Sequence, residues 1–200
     1  MNEINFNFLT KYKNKNEHDI LFNPRSDDEM KKATQYKVPI YTYSELCEKA
    51  EKTNPVKMLN DMFKKSNNNI ILLQDPENMN SGHWLAICKN PVKKEIYFFS
   101  TYGGKPDIEK LNWISKNDLK KSKQNINIFN DGLHIFQNNG WEIYYNDFPY
   151  QIENDQTAVC GIYTAAFIRS KLNPDEFENE NKKLIQNNIN PAIYYYKKYF

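Results

Sequence analysis

Glycine is scarce in this sequence, with 6 residues in 200. Alanine is sparse too, while Asn, Lys, Ile and Tyr recur throughout, a bias that fits an AT-rich coding sequence. Cysteine is rarer still. Cys47, Cys88 and Cys160 form an odd, widely spaced set, which excludes the dense, even framework of a disulfide-stapled secreted domain and fits a reducing compartment with at least one free thiol. No run of about 18 apolar residues occurs, the length a membrane-spanning helix needs. The opening Met1-Asn2-Glu3-Ile4-Asn5 lacks the basic and apolar regions of a signal peptide, so a soluble protein outside the usual secretory route is expected. An excess of one charge is also lacking: 27 Lys and Arg face 25 Asp and Glu, and a net charge of +2 demands neither a nucleic acid nor an anionic membrane. Paired His or Cys at ligand spacing never recur, so no metal or other cofactor is expected. Gly103-Gly104 lacks the Lys-Ser/Thr of a phosphate loop and reads as a turn.

Hydrophobic residues make up 40% of the chain, enough for one sizeable core and hardly two, so residues 1–200 read as a single domain. Residues 1–40 are polar, with apolar clusters at Phe6-Asn7-Phe8-Leu9 and Ile20-Leu21-Phe22, and read as an N-terminal arm packed on that domain. Thr42 and Ser44 are good caps for a short helix carrying Leu46 and Ala50. A second helix opening near Pro55 would bury Met58, Leu59, Met62 and Phe63. Apolar runs of strand length follow at 70–73, 84–88 and 96–99, the last two turned at Asn90-Pro91 into an antiparallel pair. Residues 106–124 read as a helix with Ile108, Leu111, Trp113 and Ile114 inward. A fourth strand covers 141–145 and resumes near Pro149-Tyr150-Gln151. Residues 160–172 read as a buried helix stopped by Asn173-Pro174, and a last amphipathic helix over about 175–199 breaks at Pro191. Helices at both ends of a run of strands make the class α+β, a central mixed sheet flanked by helices.

Three segments carry chemistry: Ser81-Gly82-His83-Trp84, Phe98-Phe99-Ser100-Thr101-Tyr102-Gly103-Gly104 and Thr157-Ala158-Val159-Cys160-Gly161-Ile162-Tyr163. A cysteine at the start of an apolar helix meets the positive end of the dipole and unsatisfied N–H groups, which lower a thiol pKa towards neutrality and make the sulfur nucleophilic. Gly161 lets a substrate backbone come close, and the Cys160 N–H can face a developing oxyanion. The bland alternative is a small core residue on a buried helix. His83 opens the run 84–88 and so stands at the mouth of a strand, a good place for a general base. His18 lies in the polar arm and His134 in a segment with no partner motif. Trp84 would be core, or a wall that orients the imidazole.

Gly82-His83-Trp84, then a strand ending in an aromatic pair before Ser100-Thr101-Tyr102-Gly103, then a Gln upstream of Cys160-Gly161, resembles the adenovirus maturation protease (adenain) and its SUMO-protease-like relatives. The likeness covers residues 70–172, and the order is that clan's, the reverse of papain's. It implies a cysteine peptidase with Cys160 as nucleophile, His83 as general base and a Gln as oxyanion donor. Ser100 stands where the family has Asp or Glu. The positions of the family's Gln hold Glu153 and Asn154 here, straddled by Gln151 and Gln156; Gln151 is preferred because it follows the expected strand.

Among these relatives, small viral enzymes of the virophage or adenovirus type are similar in length. The resemblance therefore implies an endopeptidase that cleaves viral capsid or other structural precursors during virion maturation, in the virion or at the virus factory in the host-cell cytoplasm. Its alternatives are a protease of a ubiquitin-like modifier and an inactive relative that only binds such proteins, for which Ser100 is the best argument. Lys116, Lys120, Lys121 and Lys123 could grip DNA weakly, as adenain does, or form a solvated helix face. No membrane partner is expected.

Overall fold

Strands β1 (Ile40–Thr42), β2 (Asn68–Asp75), β3 (Asn78–Asn90), β4 (Glu95–Ser100) and β5 (Glu142–Tyr145) lie side by side in chain order in one mixed sheet. The outer pairs, β1 with β2 and β4 with β5, are parallel, and the two inner pairs are antiparallel. The computed structural model describes residues 13–108, 110–151 and 157–200. Its helices are α1 (Lys15–Phe22), α2 (Asp27–Ala33), α3 (Tyr43–Lys52), α4 (Pro55–Lys65), α5 (Lys110–Trp113), α6 (Lys116–Lys121), α7 (Ile128–Asn138), α8 (Cys160–Ser170), α9 (Pro174–Gln186) and α10 (Pro191–Tyr199). The expected class, a mixed sheet flanked by helices with Cys160 opening a buried one, is what the chain forms.

β2 is covered on both faces, which is why Ile70-Ile71-Leu72-Leu73 is continuously apolar and does not alternate. Ile71, Leu73, Leu85 and Phe98 share one core with residues of α3, α4 and α7; Ile70, Leu72, Ala86 and Phe99 share the other with residues of α8 and α10. Local signals set the helix starts. Thr42 caps α3 through Glu45 N–H, and Asn54 caps α4 ahead of Pro55. Asn173 and Glu176 form a capping box on α9, whose end and the start of α10 give the expected break before Pro191.

The stretch 106–124 departs from expectation. It forms α5 and α6, separated where Ser115 caps α6. Ile108 and Leu111, expected inward, are 49% and 50% exposed, while Lys110 is buried. Its ammonium donates to the Tyr43 hydroxyl (2.8 Å) and the carbonyls of Gln124 (3.2 Å) and Ile126 (2.6 Å). Asp107 bonds the same hydroxyl and accepts the N–H groups of Phe129 (2.9 Å) and Asn130 (2.8 Å). It thereby caps α7, whose own N-cap Asn127 makes no side-chain bond. A satisfied polar cluster thus holds this side, so apolar spacing misleads there. α7 itself was not expected.

Residues 149–151 do not resume a strand. The chain bends, and the N–H groups of Tyr150 (2.7 Å) and Gln151 (3.0 Å) both donate to Thr101 O. The described part of the N-terminal arm is woven into the core: Leu21 and Met30 are fully buried, and Ala158 N–H donates to Leu21 O at 2.7 Å. The cluster Phe6-Asn7-Phe8-Leu9 lies outside the described residues. Among those described, no helix is long and apolar enough to cross a membrane.

Candidate active site

β3 starts earlier than expected, so His83 lies inside the strand, opposite Leu73, and not at its mouth. The register shifts between Gln74 and Asp75, and Gly82 answers with φ +151°. A Cβ there would lie 2.0 Å from Leu73 O; only glycine permits this approach. His83 is buried, with Nε2 3.1 Å from Ser100 Oγ. Tyr102 stacks on the imidazole at 4.3 Å, and its N–H donates to the same Oγ at 3.3 Å. Ser100 ends β4, and the Gly103 N–H closes the expected turn onto Ser100 O at 3.1 Å.

α8 lies across β3, with Thr164 Oγ1 donating to Trp84 O at 3.1 Å. Its N-cap residue, Val159, makes no side-chain cap bond, so that residue leaves the first-turn N–H groups around Cys160 unfilled. The thiol faces the N–H of Trp84, the residue after His83, together with those of Gly161 and Cys160 itself. Imidazole and hydroxyl are thus joined, and the thiol lies beside the N–H of the next residue of β3, with no hydrogen bond from Sγ to the ring. The expected near-neutral thiol pKa is not met. Cys160 is only 8% exposed, and burial pushes its thiol above the ordinary range, outweighing those N–H groups and the charge of Arg25. Burial likewise pushes His83 down to about 3. At neutral pH both groups therefore rest uncharged.

The cover is the turn between α1 and α2. Trp84 Nε1 donates to Arg25 O at 3.0 Å, and a Cβ on Gly161 would lie 2.8 Å from Arg25 Cβ and Cγ. The guanidinium is held by Asn23 O and by Glu29 (3.1 Å), and it lies over the Tyr196 ring at 5.1 Å. In the sequence Arg25 falls within the polar arm, and its rarity, one of two arginines with Arg169, is the only signal that sets it apart.

Gln151 is buried beside this site. Its Oε1 accepts from Thr101 Oγ1 at 3.2 Å and its Nε2 donates to Thr157 O, just ahead of α8. Gln156, Asn154 and Glu153 lie outside the described residues. Asn146, unremarked in the sequence, is buried and bonds the main chain of Ser100. Cys47 and Cys88 are free and buried, each with its thiol pushed up to about 12. Of the lysine cluster, Lys121 pairs with Asp118 (3.3 Å) and Lys123 with Glu48 (2.8 Å). Among the described residues no His, Cys, Asp and Glu grouping could hold a metal.

No protein-family model matches the chain, and no curated protein matches it. Among solved structures it is similar to the SUMO protease Ulp1 with its catalytic cysteine oxidized to a sulfinic acid, at 16% identity over 81% of this chain and 78% of that one, TM-score 0.37. The same protease with a sulfonic acid gives 14% identity, 85% and 83% coverage, and a TM-score of 0.39. The C-terminal Ulp1 protease domain in complex with Smt3, the yeast ortholog of SUMO, gives 14% identity, 85% and 83% coverage, and a TM-score of 0.38.

Proposed function

We propose that this chain is a thiol peptidase in which Cys160 is acylated by a protein substrate and His83 moves the proton. The observation that supports the reading is a pair of neighbours on β3: His83, held at Nε2 by Ser100, and Trp84, whose N–H faces the thiol that opens α8. In the tautomer whose Nε2–H donates to Ser100, Nδ1 is the nitrogen that receives the thiol proton. Sγ attacks the scissile carbonyl carbon as its proton passes to His83. The Cys160 N–H and the second amide hydrogen of Gln151 hold the oxyanion. Collapse expels the amine, which takes the proton from His83, and water deprotonated by the same imidazole then hydrolyses the thioester. Because both groups rest neutral under cover, productive attack requires the Arg25 turn to yield to substrate.

Arg25 fills the space over Gly161 where a substrate backbone was expected to pass, and Cys160 is covered. Once that turn yields, a helix start without a side chain at Gly161 suits a slender, extended segment of small residues, and the C-terminal tail of a ubiquitin-like modifier is of that kind. A second reading, cleavage of viral structural precursors, is favoured by the chain's length, which is similar to that of small viral maturation proteases. Two assays separate the readings: labelling by an electrophilic ubiquitin-like C-terminal probe, and mass spectrometry of capsid protein coexpressed with the chain. Labelling lost in Cys160→Ala supports the first, and discrete capsid cuts lost in the same variant support the second. Neither, with Cys160 inert to alkylation, would leave an inactive binding relative.

A further inference from the structure

We propose that Asn146 is a positioning residue for His83, acting through the main chain of Ser100; the inference rests on the thiol peptidase reading. β5 pairs with β4 only as far as Phe98 and Tyr145. Beyond that rung the β5 side of β4 has lost its strand, yet Ser100 must hold its hydroxyl in one place. Asn146, the next residue after β5, supplies the missing rung with its side chain. Oδ1 accepts Ser100 N–H at 3.1 Å, and Nδ2 donates to Ser100 O at 2.7 Å and to Phe148 O at 2.9 Å. Both amide hydrogens and the carbonyl oxygen are used, so the carboxamide has one orientation here and imitates a peptide group of the absent strand. Its own carbonyl accepts Gly104 N–H at 2.8 Å, tying the turn after Ser100 to the same point.

The consequence falls on the imidazole. A carboxylate can only accept from a histidine N–H, which fixes the tautomer, whereas a hydroxyl can donate or accept. Ser100 Oγ already accepts the Tyr102 N–H at 3.3 Å and stands 3.1 Å from Nε2. The Tyr102 bond leaves the Ser100 O–H free to donate to Nε2 or to accept from it, so what Asn146 contributes is placement: it fixes the main chain that carries Oγ, and with it one hydrogen-bond arrangement at Nε2. An aspartate at 146 would set a second acceptor against two carbonyl oxygens and release Ser100.

The test uses the full chain. Nitrogen-15 NMR of the histidines in a Cys160→Ala background reads the His83 tautomer without any activity. One tautomer should dominate, and Asn146→Asp should give a mixture of both forms. With Cys160 restored, Asn146→Asp should lower kcat about tenfold, the worth of the one hydrogen bond it places, with KM nearly unchanged. Placed on Ser100→Ala, the same substitution should lower kcat no further. Should Asn146→Asp fold poorly, Asn146→Ser, judged by the same tautomer ratio, takes its place. An unchanged tautomer ratio, or an equal loss of kcat with and without the Ser100 hydroxyl, would overturn the inference. If wild type neither cleaves nor is labelled, the peptidase reading fails, and the tautomer ratio still decides the role of Asn146.

Discussion

At Ser100 a hydroxyl stands 3.1 Å from the imidazole, and the geometry says what it can supply: one hydrogen bond with Nε2, worth about 0.5 to 1.5 kcal/mol. Ser100→Ala should therefore keep peptidase activity within about tenfold of wild type. Ser100→Asp should extend activity to higher pH, because a carboxylate beside the imidazole raises a pKa that burial now holds near 3, and so stabilises the imidazolium that forms when the thiol gives up its proton. Turnover of one peptide by all three forms across pH reads both effects; a loss beyond about a thousandfold in Ser100→Ala would make the hydroxyl indispensable. The thiols give a second check. Burial raises all three, but only Cys160 has Arg25 and the N–H groups of Trp84, Gly161 and its own residue in opposition. Iodoacetamide near neutral pH should label Cys160 first yet more slowly than an unfolded thiol, and faster as pH rises. Equal rates at the three cysteines of the folded chain would remove it as nucleophile.

At the scale of elements, the bulge between β2 and β3 decides where His83 points. Gly82→Ala meets both an unfavourable φ of +151° and Leu73 O at 2.0 Å, so a loss of about 3 kcal/mol or more in denaturant unfolding is expected; a loss below about 1 kcal/mol would mean that the bulge relaxes freely. Gly82 could be quoted from the sequence, but the bulge that requires it could not, since it depends on pairing with Gln74 and Asp75. The same contrast runs through the fold. β2, β3, β4, α3, α4 and α8 were legible because apolar period, caps and stops agree there. The stretch 106–138 was not, because Asp107 and Lys110 do buried work that polar residues seldom do, and they hold α7 from outside its own segment. In the site, Cys160, His83 and Ser100 stood out as motifs. Asn146 and Arg25 act through backbone contacts across 46 and 59 positions of sequence, which no local pattern records.

For the whole molecule, a neutral imidazole buried beneath two packed layers makes stability depend on pH. In the unfolded chain His83 takes up a proton below its ordinary 6.5, whereas in the folded chain it does so only near 3. Between those values the unfolded state binds more protons, so His83 favours folding fully above pH 6.5 and progressively less as pH falls. Its share of the loss from pH 6.5 to pH 5 is about 2 kcal/mol. Asp107 works in the opposite sense: burial raises its carboxyl pKa, so the folded state there holds a proton at a pH where the unfolded chain has lost it. The total slope mixes the two, and the measurement is accordingly a difference. Urea unfolding of wild type and His83→Gln at pH 7 and pH 5 should show wild type losing about 2 kcal/mol more than the variant over that span. Equal losses in the two proteins would mean that His83 is reached by water and protonated in the folded state, and the closed, uncharged resting site would have to be abandoned with it.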